Sequence, residues 1–464
     1  MHKNTNALVK AIRFATLAAV AAPASVMAGG FSLNEQSASQ MGVANAGAAA
    51  NPENATTVLF NPAGMSQLSG TNISFGAAVL DIDAEAKSGA EASNQLGGDV
   101  EGSRGGDIAD PAVLPNFYMT HEVNDSIDVG FGIHAPYGLA ADYDNDFKGR
   151  YFADKTELTA IAFTPSVSVN NGKGLSMGIG LNIMYAEGRL SRFQDPALLE
   201  AGIGQAIGQP VSLEDPYADV EGDDVGVTFR VGFLYELSEK TQLGLTAQTG
   251  TELDLEGDIE ISNFPDLANP MGPTKTLTEQ VRVPLAIPES ATLGVRHELT
   301  SDVTLLAGAT YARWGRFEEL DIVSRRDAPG EASSVTGYPY INHVTEEWKN
   351  TWQFNVGSIW QATPEWALKA GYAFDESPVD EYVTARIPSE DRHWLTLGAQ
   401  WKDVQSGWAV DVAVGTLIFA DDAKVDDREY SHSDPTGAPT SDANYTAEYD
   451  LSAWSAAFEV SKAF

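Results

Sequence analysis

Residues 225–237 read Val225-Gly226-Val227-Thr228-Phe229-Arg230-Val231-Gly232-Phe233-Leu234-Tyr235-Glu236-Leu237. Every odd-numbered position is apolar, while Gly226, Thr228, Arg230, Gly232 and Glu236 hold most of the even ones. Successive side chains of a strand point to opposite faces, so strict period two gives one greasy face and one polar or small face. A strand of a soluble sandwich is usually about 5–6 residues, and one that crosses a bilayer at a tilt needs about 9–11. This stretch is long enough to cross. Met177, Ile179, Leu181, Ile183 and Tyr185 repeat the pattern against Ser176, Gly178, Gly180 and Asn182.

Short polar segments organise the chain around these two strands. Glu122–Ser126, Asn170–Lys173, Ser238–Thr241, Leu299–Asp302, Ala362–Glu365 and Asp403–Ser406 each separate two strand-like runs. They join twelve strands, and a first strand near Thr71–Leu80 and a last near Asp450–Phe464 raise the count to fourteen. An even number, tight turns at one rim and long loops at the other predict an all-β fold, a 14-stranded antiparallel transmembrane β-barrel. The loops are expected at 81–111, 138–156, 188–224, 254–281, 316–347, 376–390 and 420–449. Trp360 and Trp366, then Trp401 and Trp408, flank two of the tight turns, where an aromatic girdle should sit at the membrane interface. Trp454, Phe458, Val460 and the terminal Phe464 share one parity of the last strand. A fourteen-stranded lumen is too wide for side chains alone to fill, so it is either open or plugged.

The remaining segments divide the chain. Lys3, Lys10 and Arg13 precede the apolar Phe14–Ala22, and Val26-Met27-Ala28 supplies small residues for cleavage, so 1–28 reads as a signal peptide. Residues 29–70 show no sustained alternation and contain Asn51-Pro52 and Asn61-Pro62, yet they carry Phe31, Leu33, Val58, Leu59 and Phe60. That apolar content suits an N-terminal plug (hatch) inside the lumen better than a solvated tail. The barrel then occupies 71–464. After Ala28 no run of roughly 18 apolar residues offers a membrane-spanning helix. Setting aside the three basic residues of the leader takes the net charge from −37 to −40, which repels nucleic acid. Segments 81–111, 188–224 and 420–449 each hold eight acidic residues against two basic ones and read as solvated loops; divalent-cation binding is the alternative. The absence of cysteine removes disulfides, thiolate chemistry and lipid attachment through an N-terminal Cys.

Several short motifs, in this order, resemble one family, the outer-membrane long-chain fatty-acid transporters of FadL type, which include hydrocarbon-uptake channels. Gly30-Phe31-Ser32-Leu33-Asn34-Glu35 is similar to the family's mature N-terminus, and Asn61-Pro62-Ala63 to its plug motif. Pro115-Asn116, Tyr137-Gly138-Leu139, Tyr311 with Trp314 and Phe317, Phe374-Asp375 with Ser377-Pro378-Val379, and Ile387-Pro388 with Asp391-Arg392 and Trp394-Leu395 continue the match along the barrel. The resemblance covers the mature chain; the acidic loops match poorly.

The resemblance implies passive, ligand-gated uptake of long-chain fatty acids, with alkanes or aromatic hydrocarbons as the alternative cargo. It places Arg192 and Lys349 where the family holds the ligand carboxylate, and Phe31 where a plug residue closes that pocket. Strand parity also aims both cations inward: Arg192 by extending the strand at 176–187 past its end, and Lys349 within a strand read at 348–360. A helix expected over Asp195–Gln209 falls where the family has a surface groove for ligand. Pro136, beside Tyr137 and Gly138, should break strand pairing, because proline cannot donate to the ladder; in the family such a kink opens the wall sideways. Ser389, Asp391 and His393 alternate along a strand start and read as no catalytic triad, and the seven His show no metal-ligand spacing, so neither an enzyme nor a metal site is expected. No cofactor is expected. The partners expected are the hydrophobic cargo, outer-membrane lipid and lipopolysaccharide, and the barrel-assembly machinery reading the C-terminal strand, around a monomer in the bacterial outer membrane.

Overall fold

The computed structural model describes residues 29–464 apart from 267–268, 270–271, 326–332 and 334–335. The expected leader, 1–28, lies outside the described residues. Strands are numbered here by passage across the wall. β1 is Thr71–Ala86, β2 Ala112–Asn124, β3 Ile127–His134 resuming as Gly138–Asp142, and β4 Lys155–Phe163 resuming as Ser166–Asn170. β5 is Leu175–Phe193, β6 Tyr217–Ser238, β7 Thr241–Gln248 resuming as Thr251–Phe264, and β8 Lys275–Ile287 resuming as Ser290–Glu298. β9 is Val303–Ala312, β10 Thr351–Gln361, β11 Trp366–Asp375 and β12 Arg392–Asp403. β13 is Trp408–Phe419 resuming as Ala423–Arg428, and β14 is Asn444–Ala463. Each passage pairs antiparallel with the next, and β1 closes on β14 from Asn72↔Ala463 to Ala86↔Tyr449. Fourteen strands close the barrel.

The period-two reading sets which face meets lipid. Val227, Phe229, Val231, Phe233, Tyr235 and Leu237 are exposed on β6, while Gly226, Thr228, Gly232 and Leu234 are buried. Trp360, Trp366, Trp408, Trp454, Phe458 and Phe464 are exposed on the outside as well. All six expected tight turns fall between strands. Five of the seven long loops are shorter than expected, most clearly where β5, β6, β7 and β8 run on beyond the lipid-facing band with their alternation blurred by acidic residues; the loops before β10 and β12 are not. Residues 188–193 and 217–224, for example, belong to strands and pair Gly188↔Gly222 through Phe193↔Tyr217.

Residues 29–70 fill the ring. They form α1 (Ala38–Met41), a 3₁₀ turn at Ala48–Ala50, α2 (Thr57–Phe60) and a 3₁₀ turn at Pro62–Gln67. Glycines on the inner wall let this backbone come close: a Cβ on Gly232 would collide with the Asn61 carboxamide, and one on Gly371 with the backbone of Val43 and Ala44. Asn61 caps the second 3₁₀ turn through Oδ1, which accepts from Ala63 N (3.0 Å). Its Nδ2 donates to Ala49 O (2.6 Å) inside the plug and to Phe233 O (3.0 Å) on β6. Pro62 fits because the first position of a helical turn needs no N–H donor.

Candidate functional site

The plug begins with two glycines at positive φ, Gly29 (72°) and Gly30 (65°), and Gly30 lies against the Trp314 ring where any side chain would clash. This turn delivers Phe31 into an aromatic cage. Its ring centroid lies 4.6 Å from Trp314, 5.8 Å from Trp348 and 5.9 Å from both Tyr137 and Phe317, mostly edge to face, and the residue is 1% exposed. Aromatic pairs favour such tilted contacts because the ring edge is positive and its face negative. Trp348 is oriented in turn by donating its indole N–H to Glu346 Oε2 (2.9 Å); burial pushes that loop carboxyl up to about 8.

Above Phe31 lies a pocket of about 40 Å³ walled by Leu139, Leu158, Leu190, Val220, Leu285 and Ile387 among others. A second pocket of similar size adjoins it, sharing Leu190 and Val220, and adds Ile259, Ile322, Ile341, Arg192 and Arg386. Below Phe31, between plug and wall, a polar cavity of about 210 Å³ is lined by Asn182, Arg230, Gln248, Asn355, Pro136 and Tyr137 among others. The Phe31 segment separates the greasy pockets from the polar cavity.

The cations at these cavities divide by their partners. Arg189 reaches the upper pocket but is held by Asp219 at 2.6 Å. Arg192 lies on the inward parity of β5, as expected, donates to Tyr151 O (3.0 Å), and has Glu429 at 3.7 Å. Arg386, in the loop before β12, is 2% exposed and donates only to neutral acceptors: Lys155 O, Thr156 Oγ1 and Ser191 O. Burial, then the charge of Arg192, push its guanidinium down to about 10. Arg230 donates through Nε to Gln248 Oε1 (3.2 Å), whose amide faces the Tyr137 hydroxyl. Among the described residues, no carboxylate lies within 4 Å of Arg386 or Arg230. Asp427, Glu346 and Asp154 act on Arg386 only from beyond that distance, so its buried fork keeps room for a direct anionic partner.

Lys349 is a correction. It was expected to point inward with Arg192, yet it is exposed, and β10 begins only at Thr351. Lys349 lies ahead of the ladder, its N–H donating to Pro378 O in a neighbouring loop (2.8 Å), so the alternation that correctly buries Thr351 and Asn355 does not extend to it. The cation that shares a pocket with Arg192 is Arg386. Sequence reading missed it because a loop residue between Ala385 and Ile387 carries no period; its only signal was a lone cation beside the Ile387-Pro388 motif.

The expected break in β3 is present. Ala135–Tyr137 leaves the strand, and the β2–β3 ladder ends at Phe117↔Ile133. Outward of that point β3 pairs with β4 alone, from Gly138↔Thr159 to Asp142↔Lys155. The plug takes part of the vacated ladder: Leu33 N donates to Pro136 O (3.1 Å) and Gly138 N to Phe31 O (3.0 Å). The helix expected over Asp195–Gln209 is α3, Ala197–Ile207, with Leu198 and Ile207 exposed on the extracellular surface. Ser389, Asp391 and His393 hold separate partners: Ser389 meets Ser377 Oγ, Asp391 accepts from Ser377 N, and His393 meets Tyr372 on the outer face.

A closed, plugged barrel whose greasy pockets open toward the extracellular loops defines an outer-membrane channel for hydrophobic molecules. A family model described as outer membrane protein transport protein (OMPP1/FadL/TodX) matches residues 18–464. The chain is 27% identical to a long-chain fatty acid transport protein of Escherichia coli O6:H1, covering 80% of this chain and 82% of that one. It is 29% identical to a 47 kDa outer membrane protein of Pasteurella multocida, covering 86% and 89%. The fold is similar to that of a FadL homologue of Pseudomonas aeruginosa, with TM-score 0.78, 21% identity and coverage of 94% and 100%. It is also similar to the toluene transporter TodX of Pseudomonas putida, with TM-score 0.64, 17% identity and coverage of 88% and 94%. The chain belongs to the OMPP1/FadL/TodX family of outer-membrane transporters of hydrophobic substrates, which are channels and not enzymes.

Proposed function

We propose that this channel takes up long-chain fatty acids passively, with the carboxylate anchored by Arg386 and Arg192 and the alkyl chain in the pocket above Phe31. The observation that carries this reading is the buried Arg386 guanidinium, with no carboxylate within 4 Å, in the pocket that adjoins the almost wholly apolar one above Phe31. An arginine fork matches a carboxylate geometrically, and desolvation strengthens the pairing. The exposed Leu198 and Ile207 of α3 supply a first contact for a greasy molecule at the cell surface. Withdrawal of Phe31 joins the upper pockets to the cavity that holds Arg230, a second cation for the same head group. That cavity borders Pro136 and Tyr137, where the wall ladder is interrupted, so release is sideways into the outer leaflet. Lipid and lipopolysaccharide then surround the exit, and the C-terminal Phe464 serves the assembly machinery.

Oleate and hexadecane binding to Arg386→Gln, Arg192→Gln and Lys349→Ala test the anchor. A hydrogen bond to a charged group contributes about 1.5–3 kcal/mol, so oleate affinity should fall roughly 10- to 100-fold in the two arginine variants. Hexadecane should be unaffected, and Lys349→Ala should stay within about two-fold of wild type for both. Unchanged oleate affinity in both arginine variants would overturn the fatty-acid reading in favour of neutral hydrocarbons, for which the apolar pocket lining suffices.

A further inference from the structure

Away from the pockets, four side chains that no sequence spacing relates converge on the extracellular side. Glu319, Asp321 and His343 come from the loop between β9 and β10, where Leu320 and Val344 exchange backbone hydrogen bonds. His432 comes from the loop between β13 and β14. One ligand-type atom from each lies within 4.8 Å of all the others. His343 Nδ1 is 2.6 Å from Asp321 Oδ1 and 3.8 Å from Glu319 Oε2; His432 Nδ1 is 2.9 Å from Asp321 Oδ2 and 3.3 Å from Glu319 Oε2.

The hydrogen-bond network constrains the protons. Thr345 Oγ1 donates its only proton to Pro435 O (2.7 Å), a carbonyl that can only accept. The same oxygen, 3.1 Å from His343 Nε2, must therefore accept from it, which puts the proton of a neutral His343 on Nε2. His343 Nδ1 is then a bare lone pair facing a carboxylate oxygen at 2.6 Å, in a side chain only 5% exposed. His432 Nδ1 is buried and makes no well-formed hydrogen bond despite its two carboxylate neighbours. Four ligand-type atoms turned toward one point suit a cation between them, and two imidazole nitrogens select a transition metal over calcium or magnesium.

We propose that Glu319, Asp321, His343 and His432 form a binding site for a zinc-class divalent cation. Zinc bonds of about 2.0–2.2 Å in a tetrahedron place neighbouring ligand atoms roughly 3.4 Å apart. The observed nitrogen–oxygen separations of 2.6 to 3.8 Å bracket that value, so small side-chain adjustments complete the site. Thr345 supplies the outer hydrogen bond that fixes the His343 tautomer, and Tyr340 stacks on His432 with ring centroids 3.5 Å apart. The metal would staple two loops. One carries Ile322 and Ile341 over the pocket of Arg192 and Arg386, and the other carries Glu429 beside Arg192.

The test uses the tag-free full chain in detergent, with the folded barrel verified by its heat-modifiable gel mobility. After chelator treatment, zinc is titrated against a chromophoric competitor, and cobalt is substituted to record its visible d–d absorption. One zinc per chain and a tetrahedral cobalt spectrum are expected. His432→Ala and Asp321→Asn should each weaken zinc at least about 100-fold, since loss of a mere supporting partner costs roughly 10- to 100-fold. His121→Ala, at the opposite rim, should titrate as wild type. Less than one zinc per folded chain, or either cluster variant binding as wild type does, would overturn the site and leave an imidazolium–carboxylate cluster only.

Discussion

The two ends of the plug are held in different ways. Its body is tied by buried charge: Lys369 on β11 reaches Glu53 Oε2 (2.6 Å), Asp411 Oδ1 on β13 (3.0 Å) and Ser39 O (3.0 Å). Glu459 on β14 adds two more ties, accepting from Ser37 Oγ (2.7 Å) and Asn54 Nδ2 (2.6 Å). Its N-terminal end is held by aromatic packing of Phe31 and by two backbone hydrogen bonds to an interrupted strand. Ion pairs with satisfied partners resist displacement because separating them strands charge in a low-dielectric interior. Burial of apolar surface is non-directional, so a hydrophobic ligand can substitute for the ring that leaves. The body is therefore the fixed part, and Phe31–Leu33 the part that a greasy ligand can displace.

Three substitutions probe that contrast. Lys369→Met leaves Glu53 and Asp411 without their cation, and breaking a buried pair costs about 3–5 kcal/mol. The whole plug should loosen, read as a rise in conductance in planar bilayers, and adding Asp411→Asn should partly restore the closed channel. Phe31→Ala removes a fully caged ring at a cost of about 3–5 kcal/mol, confined to the N-terminal end. Conductance should stay at the wild-type level while oleate affinity falls at least about ten-fold; a conductance rise equal to that of Lys369→Met would erase the distinction between the two ends. Asn61→Ala deletes the ties to Ala49 and Phe233, each contributing about 1 kcal/mol. It should lower the unfolding midpoint slightly and leave oleate binding unchanged.

Much of this was legible in the chain. Period two over 225–237 fixed the lipid face, the six polar turns fixed the strand number, and the glycine-rich apolar stretch after Ala28 announced something inside the lumen. Arg192 was legible because β5 runs unbroken to Phe193, so parity still held at its position. Lys349 failed for the converse reason: β10 starts only at Thr351, and Lys349 pairs with loop residue Pro378 outside the ladder, where parity has no meaning. Arg386 and the quartet of Glu319, Asp321, His343 and His432 sit in loops, where no repeat links sequence position to direction.

The sequence by itself determined the barrel and its inward and outward faces, because backbone geometry in a strand ties each side chain to one face; the plug was read from apolar content without alternation, and Phe31 as its cap only from the family resemblance. Only the tertiary structure decided which cations lack a partner and which imidazoles meet. Those depend on distances between loops far apart in the chain, and the charge left over after all pairings is a property of the assembled molecule.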